Sequence, residues 1–288
     1  MKYTKPATTY KEQINILKTR GLIVDNEARA LDVLQNISYY RLSAYYLPFQ
    51  LGRDAFKKGT HFDDIVALYE FDRHLRDMLW DAIESIEISV RTQITYHLAH
   101  TYGVFGYVNA QNFHKKFKHA EWMGKLAENI NRSHEVFIKH YHEKYTEETN
   151  LPIWMVTEVA PFGQLSQLFH GLQKKDKQAI AHMKYALDQL LLTSWLHTLS
   201  YIRNLCAHHA RVWNRTVSIK PMIPRNEQAW QKINNQKIFF VLLIIKKLMS
   251  MTEEWQEWQA GFIKLIDSNP AINLNAMGFP DDWKKQLS

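Results

Sequence analysis

Between Phe62 and Leu98 apolar side chains return every three or four residues: Ile65, Leu68, Phe71, Leu75, Met78, Leu79, Ile83, Ile86, Val90, Ile94 and Leu98. That spacing follows the turn of an α-helix and departs from the two-residue alternation of a strand. It predicts one long helix, or two with a bend. A capping box at Thr60-His61-Phe62-Asp63 would open it and Gly103 would close it. Only 10 glycines and 8 prolines punctuate 288 residues, which favours long helices over a many-stranded sheet. The expected fold class is all-α.

The rest of the chain reads the same way. Thr9-Tyr10-Lys11-Glu12 is a capping box for a short helix carrying Ile14 and Leu17 and ended by Gly21. A second helix follows Asp25, with Ala30, Leu31 and Leu34 on its inner side, and "SYYRLSAYYLPF" reads as helical until Pro48. Helical periodicity resumes from Glu121 to Tyr145. "NLPIWMVTEVAPFGQLSQLF" is a helix–turn–helix joint, and a helix begins near Asp188. Ser218 to Pro224 is extended or loop. Asn235 to Met251 is apolar nearly all round, as a buried helix would be, and Glu253 to Asp267 is a last helix before a tail. No strand signal is strong. The expected division is an N-terminal helical extension over 1–50, a central helical domain over 51–250 and a C-terminal helical tail over 251–288, within one compact unit.

With 46% hydrophobic residues the chain can bury a sizeable core. Its formal net charge of +7 is compatible with an anionic partner, most simply nucleic acid. One cysteine, Cys206, excludes an internal disulfide and points to a reducing compartment. The start "MKYTKPATTYKEQ" has no apolar segment of the signal-peptide kind, so a cytoplasmic location is expected. The longest apolar run, Ile238 to Ile245, is far short of the roughly 20 residues of a membrane span, so no membrane partner is expected.

"SYIRNLCAHHARVWNR", residues 200 to 215, carries three arginines, two asparagines and two histidines. Continued as a helix at about 100° per residue, it places Leu199, Ile202, Leu205, Cys206, Val212 and Trp213 on one face. Arg203, Asn204, His208, Arg211, Asn214 and Arg215 fall on the other, and His209 falls in the apolar sector as a packed residue. The polar face holds no Lys, Glu or Asp, the usual dress of a solvated helix. Arginine offers phosphate a permanently charged fork, asparagine neutral donors, and histidine a proton that moves near neutral pH.

The spacing Arg203-Asn-Leu-Cys-Ala-His208 resembles the R-x(4–6)-H signature of HEPN domains, many of which are metal-independent ribonucleases. The wider context is more specific. "YKEQINILKTRGLIV", "NISYYRLSAYYLPF", "PIWMVTEVAPFGQLSQLF", "YIRNLCAHHARVWNR" and "MGFPDDW" resemble, in this order and over nearly the whole chain, the Abi-like proteins of the AbiD/AbiF group, bacterial abortive-infection proteins acting against phage. The resemblance implies a HEPN-type helical bundle with N- and C-terminal helical extensions, and a toxic endoribonuclease in which His208 moves protons and Arg203 stabilises phosphate charge. Asn204 would orient His208 or hold a phosphate oxygen. It implies no cofactor and no metal, RNA as partner (some members associate with a small non-coding RNA), and a site completed across a homodimer through the motif helix.

Further residues join as supporting or RNA-binding candidates. Arg91 and His97 are a second R-to-H pair, for the groove or for structure. Glu158 is a candidate partner for a motif arginine, against a plain helix-end carboxylate. Arg41, among Tyr39, Tyr40, Tyr45 and Tyr46, would stack bases or pack a core by cation–π contact. Lys115, Lys116 and Lys118 in "HKKFKH" suit a phosphate backbone or a solvated loop. There is no H-E-x-x-H, no C-x-x-C and no Gly-rich phosphate loop. The rival readings are a non-catalytic protein that holds a structured RNA in the same basic groove, and a protein-interaction module.

Overall fold

The computed structural model describes residues 2, 6–52, 54–250 and 254–288. Its thirteen α-helices among the described residues make an all-α protein, with one two-stranded hairpin as the only sheet described. The chain divides into two compact units, residues 1–76 with 265–272, and residues 77–264 with 273–288.

The first unit holds α1 (Tyr10–Thr19), α2 (Glu27–Asn36) and α3 (Tyr39–Ser43). The expected capping box opens α1: the Thr9 hydroxyl accepts from the Glu12 N–H, and the Glu12 carboxylate accepts from the Thr9 N–H at 2.7 Å. Leu17, Ala30, Leu34 and Leu42 form its buried seam. The helix expected up to Pro48 stops at Ser43 and gives way to a 3-10 turn over Leu47–Phe49. An unforeseen hairpin follows, β1 (Gln50–Gly52) and β2 (Ala55–Phe56).

The long periodic stretch is one helix, α4 (Phe62–Tyr102). No glycine or proline interrupts it, and Gly59 and Gly103, both with φ near +81°, bracket it. Of the eleven apolar positions that define its period, all but Met78 are buried. Its cap lies one residue later than expected. Asp64, not Asp63, reaches back to the His61 N–H (2.8 Å), while the Thr60 hydroxyl is spent on the Lys57 carbonyl.

The first unit also buries a charge pair. Arg76 donates to the Asp72 carboxylate, which accepts a further bond from the Tyr45 hydroxyl at 2.6 Å. Side-chain exposure is 5% for Arg76 and 0% for Asp72, so water cannot replace either partner.

The second unit contains α5 (His119–Arg132), α6 (Val136–Lys144), α7 (Ile153–Val159), α8 (Phe162–Gly171), α9 (Lys174–Tyr185), α10 (Gln189–Ala207), α11 (Ile238–Met249) and α13 (Trp283–Leu287). The single period expected from Glu121 to Tyr145 is broken at Ser133–Glu135. The helix–turn–helix joint stands as expected, with Pro161 between α7 and α8. The apolar α11 is buried on every side from Ile238 to Ile245, and α8 packs along α10. The last long helix, α12 (Glu254–Asp267), contributes the stacked Trp255, Trp258 and Phe262. No described helix is long and apolar enough to cross a membrane.

Replacing Asp72 by Ala strands a buried guanidinium, and the expected cost is about 3–5 kcal/mol in urea unfolding. Asp72→Leu combined with Arg76→Met removes both charges and should recover most of that loss. A single substitution costing under about 1 kcal/mol would show that the pair is solvated.

Candidate functional site

The motif rides on α10. Asp188 caps its start, the carboxylate accepting from the Leu190 N–H at 2.7 Å. Leu192, Trp195, Leu196, Leu199, Ile202 and Cys206 bury the inner face. The helix ends at Ala207, so the helical face expected to run on to Arg215 does not exist. His208 is the C-cap and His209 has φ +52°. The Ala210 N–H reaches the Leu205 carbonyl and the His209 N–H the Cys206 carbonyl, both at 2.9 Å. This pair of bonds satisfies carbonyls of the last turn and reverses the chain, with histidine at the left-handed position that glycine usually fills. His209, expected in the apolar sector, is therefore exposed.

Beyond the turn the chain dives back. Val212, Trp213 and Val217 are buried without belonging to a helix. Asn214, with φ +49°, accepts from Lys237 Nζ at 3.2 Å. Arg215 donates to the Arg211 carbonyl at 3.3 Å and also engages the Tyr201 hydroxyl. Burial pushes that hydroxyl up, but hydrogen bonds from Ser218 and Arg215 together with the Arg215 charge outweigh it, and the net shift is downward.

Arg203 points towards α4. Its guanidinium lies 4.7 Å from the centre of the Trp80 ring, and Nε stands 3.8 Å from Glu87. The other Glu87 oxygen accepts from Arg91 at 2.7 Å. Arg91 is anchored further by the Thr157 and Glu158 carbonyls. Glu158, a candidate partner for a motif arginine or a plain helix-end carboxylate, stands with its carboxylate 3.8 Å from Arg91, and Glu87 is the acid beside Arg203. Desolvation pushes the Glu87 carboxyl above the usual range, against the pull of Arg91 and Arg203. His97 bonds the buried Asp176 at 2.9 Å, which also accepts from the Tyr102 hydroxyl. Arg91 and His97 are thus both occupied with neighbouring side chains.

The opposite flank of α10 borders a groove of about 900 Å³ walled by α5, α8 and α10. Asn204 and Tyr201 line it, with His197 and, from α8, His170. Lys116 and Lys118 stand on its rim, with Lys125 on α5. Their loop is pinned: the His114 N–H donates to the Gly171 carbonyl at 2.8 Å, and His119 Nε2 meets the Tyr107 carbonyl at 2.8 Å. A side chain at Gly171 would lie 2.5 Å from the Phe117 ring, so that packing needs glycine. Lys115 is exposed but is not part of the groove lining, and Arg41 is an exposed residue of the first unit. Among the described residues no three His, Cys, Asp or Glu gather as metal ligands would.

Among the residues of these two places, Trp80, Glu87, Lys125, His170, His197 and Tyr201 escaped the sequence. Glu87 left a signal, since it precedes Arg91 by four residues on a helix, and so did His197 and Tyr201, which precede Asn204 by seven and three on α10.

Fold and motif together define an all-helical protein presenting arginine, asparagine and histidine from the end of one buried helix. The model of the Abi-like protein family matches residues 32–214, a span that includes the whole motif, and the chain belongs to that family. Membership points to abortive infection, a form of defence. No curated protein and no solved structure matches the chain.

Substituting Glu87 by Ala leaves two guanidiniums together without their acid and should cost about 1.5–3 kcal/mol in chemical unfolding. Glu87→Gln, which keeps the hydrogen bond, should cost less. Equal losses would place the effect in shape and not in charge. At His209, Gly should preserve the turn with a change under about 1 kcal/mol, whereas the β-branched Val should destabilise it.

Proposed function

We propose that this chain is a metal-independent endoribonuclease of the HEPN kind that acts against phage by cutting RNA. The ribose 2′-hydroxyl attacks the adjacent phosphorus, the O2′–P bond forms and the P–O5′ bond breaks. The 2′-hydroxyl proton leaves to a base, and O5′ departs with a proton from an acid. His208 serves in proton transfer. Arg203 neutralises charge on the five-coordinate phosphorus. Asn204 holds a phosphate oxygen or orients His208.

The observation that carries this reading is the orientation of Arg203 by the Trp80 ring. A guanidinium stacked on Trp80 and flanked by Glu87 is preorganised, so it loses little entropy when a phosphate arrives. One motif supplies one histidine at the C-cap, while the reaction needs both a base and an acid. A second protomer, apposed through the motif helix about a two-fold axis, supplies the other. The same geometry gives a second reading some weight. Glu87 occupies Arg203 in the resting chain, and a basic groove adjoins the motif, an arrangement equally suited to holding a structured RNA without cutting it.

Cleavage should survive chelator and leave a 2′,3′-cyclic phosphate or 3′-phosphate end. His208→Ala should abolish it with little change in melting temperature, because the residue is exposed. Loss of activity in EDTA with recovery in magnesium would contradict the mechanism. RNA binding that weakens log-linearly with salt, without cleavage by any preparation, would favour the second reading.

A further inference from the structure

The groove beside α10 has a composition that neither packing nor the motif accounts for. Its wall combines two kinds of surface. Phe117, Trp122, Leu190, Ile219 and Met222 make an apolar floor and flanks, of which Leu190 and Met222 stay well exposed. The same lining carries Lys116, Lys118 and Lys125 with His170 and His197, and one acid, Glu121. Lys125 and Lys118 share that acid at 3.0 and 3.6 Å, so positive charge remains in excess. A flat apolar ligand would be served by the floor alone, and a bare anion by the rim alone. A base with a phosphate attached uses both.

The groove also has a direction. His197, Tyr201, Asn204 and His208 follow each other at spacings of four, three and four, which places them on one line of α10 and its cap. The first three line the groove, and the fourth is the motif histidine, four residues beyond Asn204 at the cap of the same helix. His208 is tied to Asn204 by the capping bond from its own N–H at 3.0 Å. A strand lying along this line would pass from the lysine rim to the motif.

We propose that this groove is a ribonucleotide-binding subsite, which takes one base against its apolar floor and the attached phosphate at the lysine and histidine rim. As a subsite of the RNA strand presented to the motif, it rests on the ribonuclease reading; as a nucleotide site it does not. The polar ends available to a base are the Asn204 and Gln167 amides, which both donate and accept. His170 adds an acceptor. Its ring is held below the ordinary histidine range, first by desolvation and then by the positive charges of Lys177, His197 and His114. Of the hydroxyls in the wall, Thr193 donates to the Gln189 carbonyl and Ser200 to the His197 carbonyl, while Ser194 accepts from the Met222 N–H. The loop that carries Lys116 is fixed by the Phe117–Gly171 packing, so the rim is preformed.

The test uses the full chain and two probes: the four ribonucleoside 5′-monophosphates, and a 2′-O-methyl RNA octamer that cannot undergo 2′-hydroxyl attack. Binding is measured by calorimetry for wild type, for Lys116→Glu with His197→Ala, and for the motif variant His208→Ala. Lys116 and His197 are exposed, so the double variant should keep its circular dichroism and melting temperature. The expected result is at least a tenfold loss of affinity in the groove variant and less than a threefold change in His208→Ala. A loss seen with the octamer alone assigns the subsite to an RNA strand, and a loss seen with a monophosphate assigns it to a free nucleotide. Unchanged binding in a folded groove variant overturns the proposal. So does displacement of the octamer by inorganic tripolyphosphate as effectively as by RNA, since charge alone would then explain it. If the octamer depends on the groove while no preparation cleaves unmodified RNA, the subsite stands and the ribonuclease reading fails.

Discussion

Burial of one stripe of α4 sets the position of everything in the arginine cluster. Ile83, Ile86, Val90 and Ile94 are at most 2% exposed, and together they fix the rotation of the helix about its axis. A helix so locked has no freedom in where its next face points. Trp80, Glu84, Glu87, Ile88, Arg91 and Thr92 recur at that neighbouring face, and these residues with Glu158 and Arg203 enclose a small pocket. Rotating α4 by one residue to relieve any polar contact would expose the whole apolar stripe, at roughly 1.5–3 kcal/mol for each large side chain. The polar cluster must therefore form where the apolar stripe puts it, and not the reverse.

Within the cluster the distances rank the interactions. Glu87 is 2.7 Å from Arg91 and 3.8 Å from Arg203. Arg91 also holds two backbone carbonyls of α7, so it is the fixed member, and Arg203 is the loosely paired one. Its hold on Trp80 adds about 0.5–1 kcal/mol, enough to orient a side chain but not to withhold it from a phosphate. Acid changes this balance in a definite direction. A carboxyl whose folded value lies above its unfolded value binds its proton more tightly in the folded chain, so its contribution to stability is greatest in acid and declines as pH rises through the folded value. Glu87 is such a group. As pH falls it is protonated ahead of ordinary surface glutamates, and Arg203 then loses its counter-charge while keeping its stacking partner.

Much of the helical layout was legible because burial repeats with the helix period. The stripe of α4, the capping box of α1, the proline joint between α7 and α8, and the Asp188 start of α10 each depend on residues close in sequence. What escaped depends on bonds whose partners the period does not name. The hairpin of β1 and β2 is five residues of strand, too short to alternate visibly. Glu87 and Trp80 come from α4 and His170 from α8, and no local spacing joins them to Arg203 or Asn204, whereas His197 shares α10 with both. Arg203, Asn204 and His208 could be picked out for their side-chain chemistry. That the first would face α4 while the second faced a groove was not legible without the helices packed on either side.

The end of α10 is the instructive failure, because both signals there favoured continuation. Val212 and Trp213 fit the apolar phase of a longer helix, and no glycine or proline marks a stop. Both residues are indeed buried, but by another path: His209 adopts the left-handed conformation, the chain reverses, and they enter the core from outside the helix. Histidine tolerates that conformation better than most side chains with a Cβ, though less well than glycine. The reversal has two consequences for the site. It leaves His208 at the C-cap, where its backbone N–H is held by the Asn204 carbonyl while its side chain stays exposed. It also brings Arg215 back beside Tyr201, although the two are fourteen residues apart and a continued helix would have carried Arg215 about 20 Å further along the axis. The turn, and not a continuous polar face, is thus what gathers positive charge near Asn204.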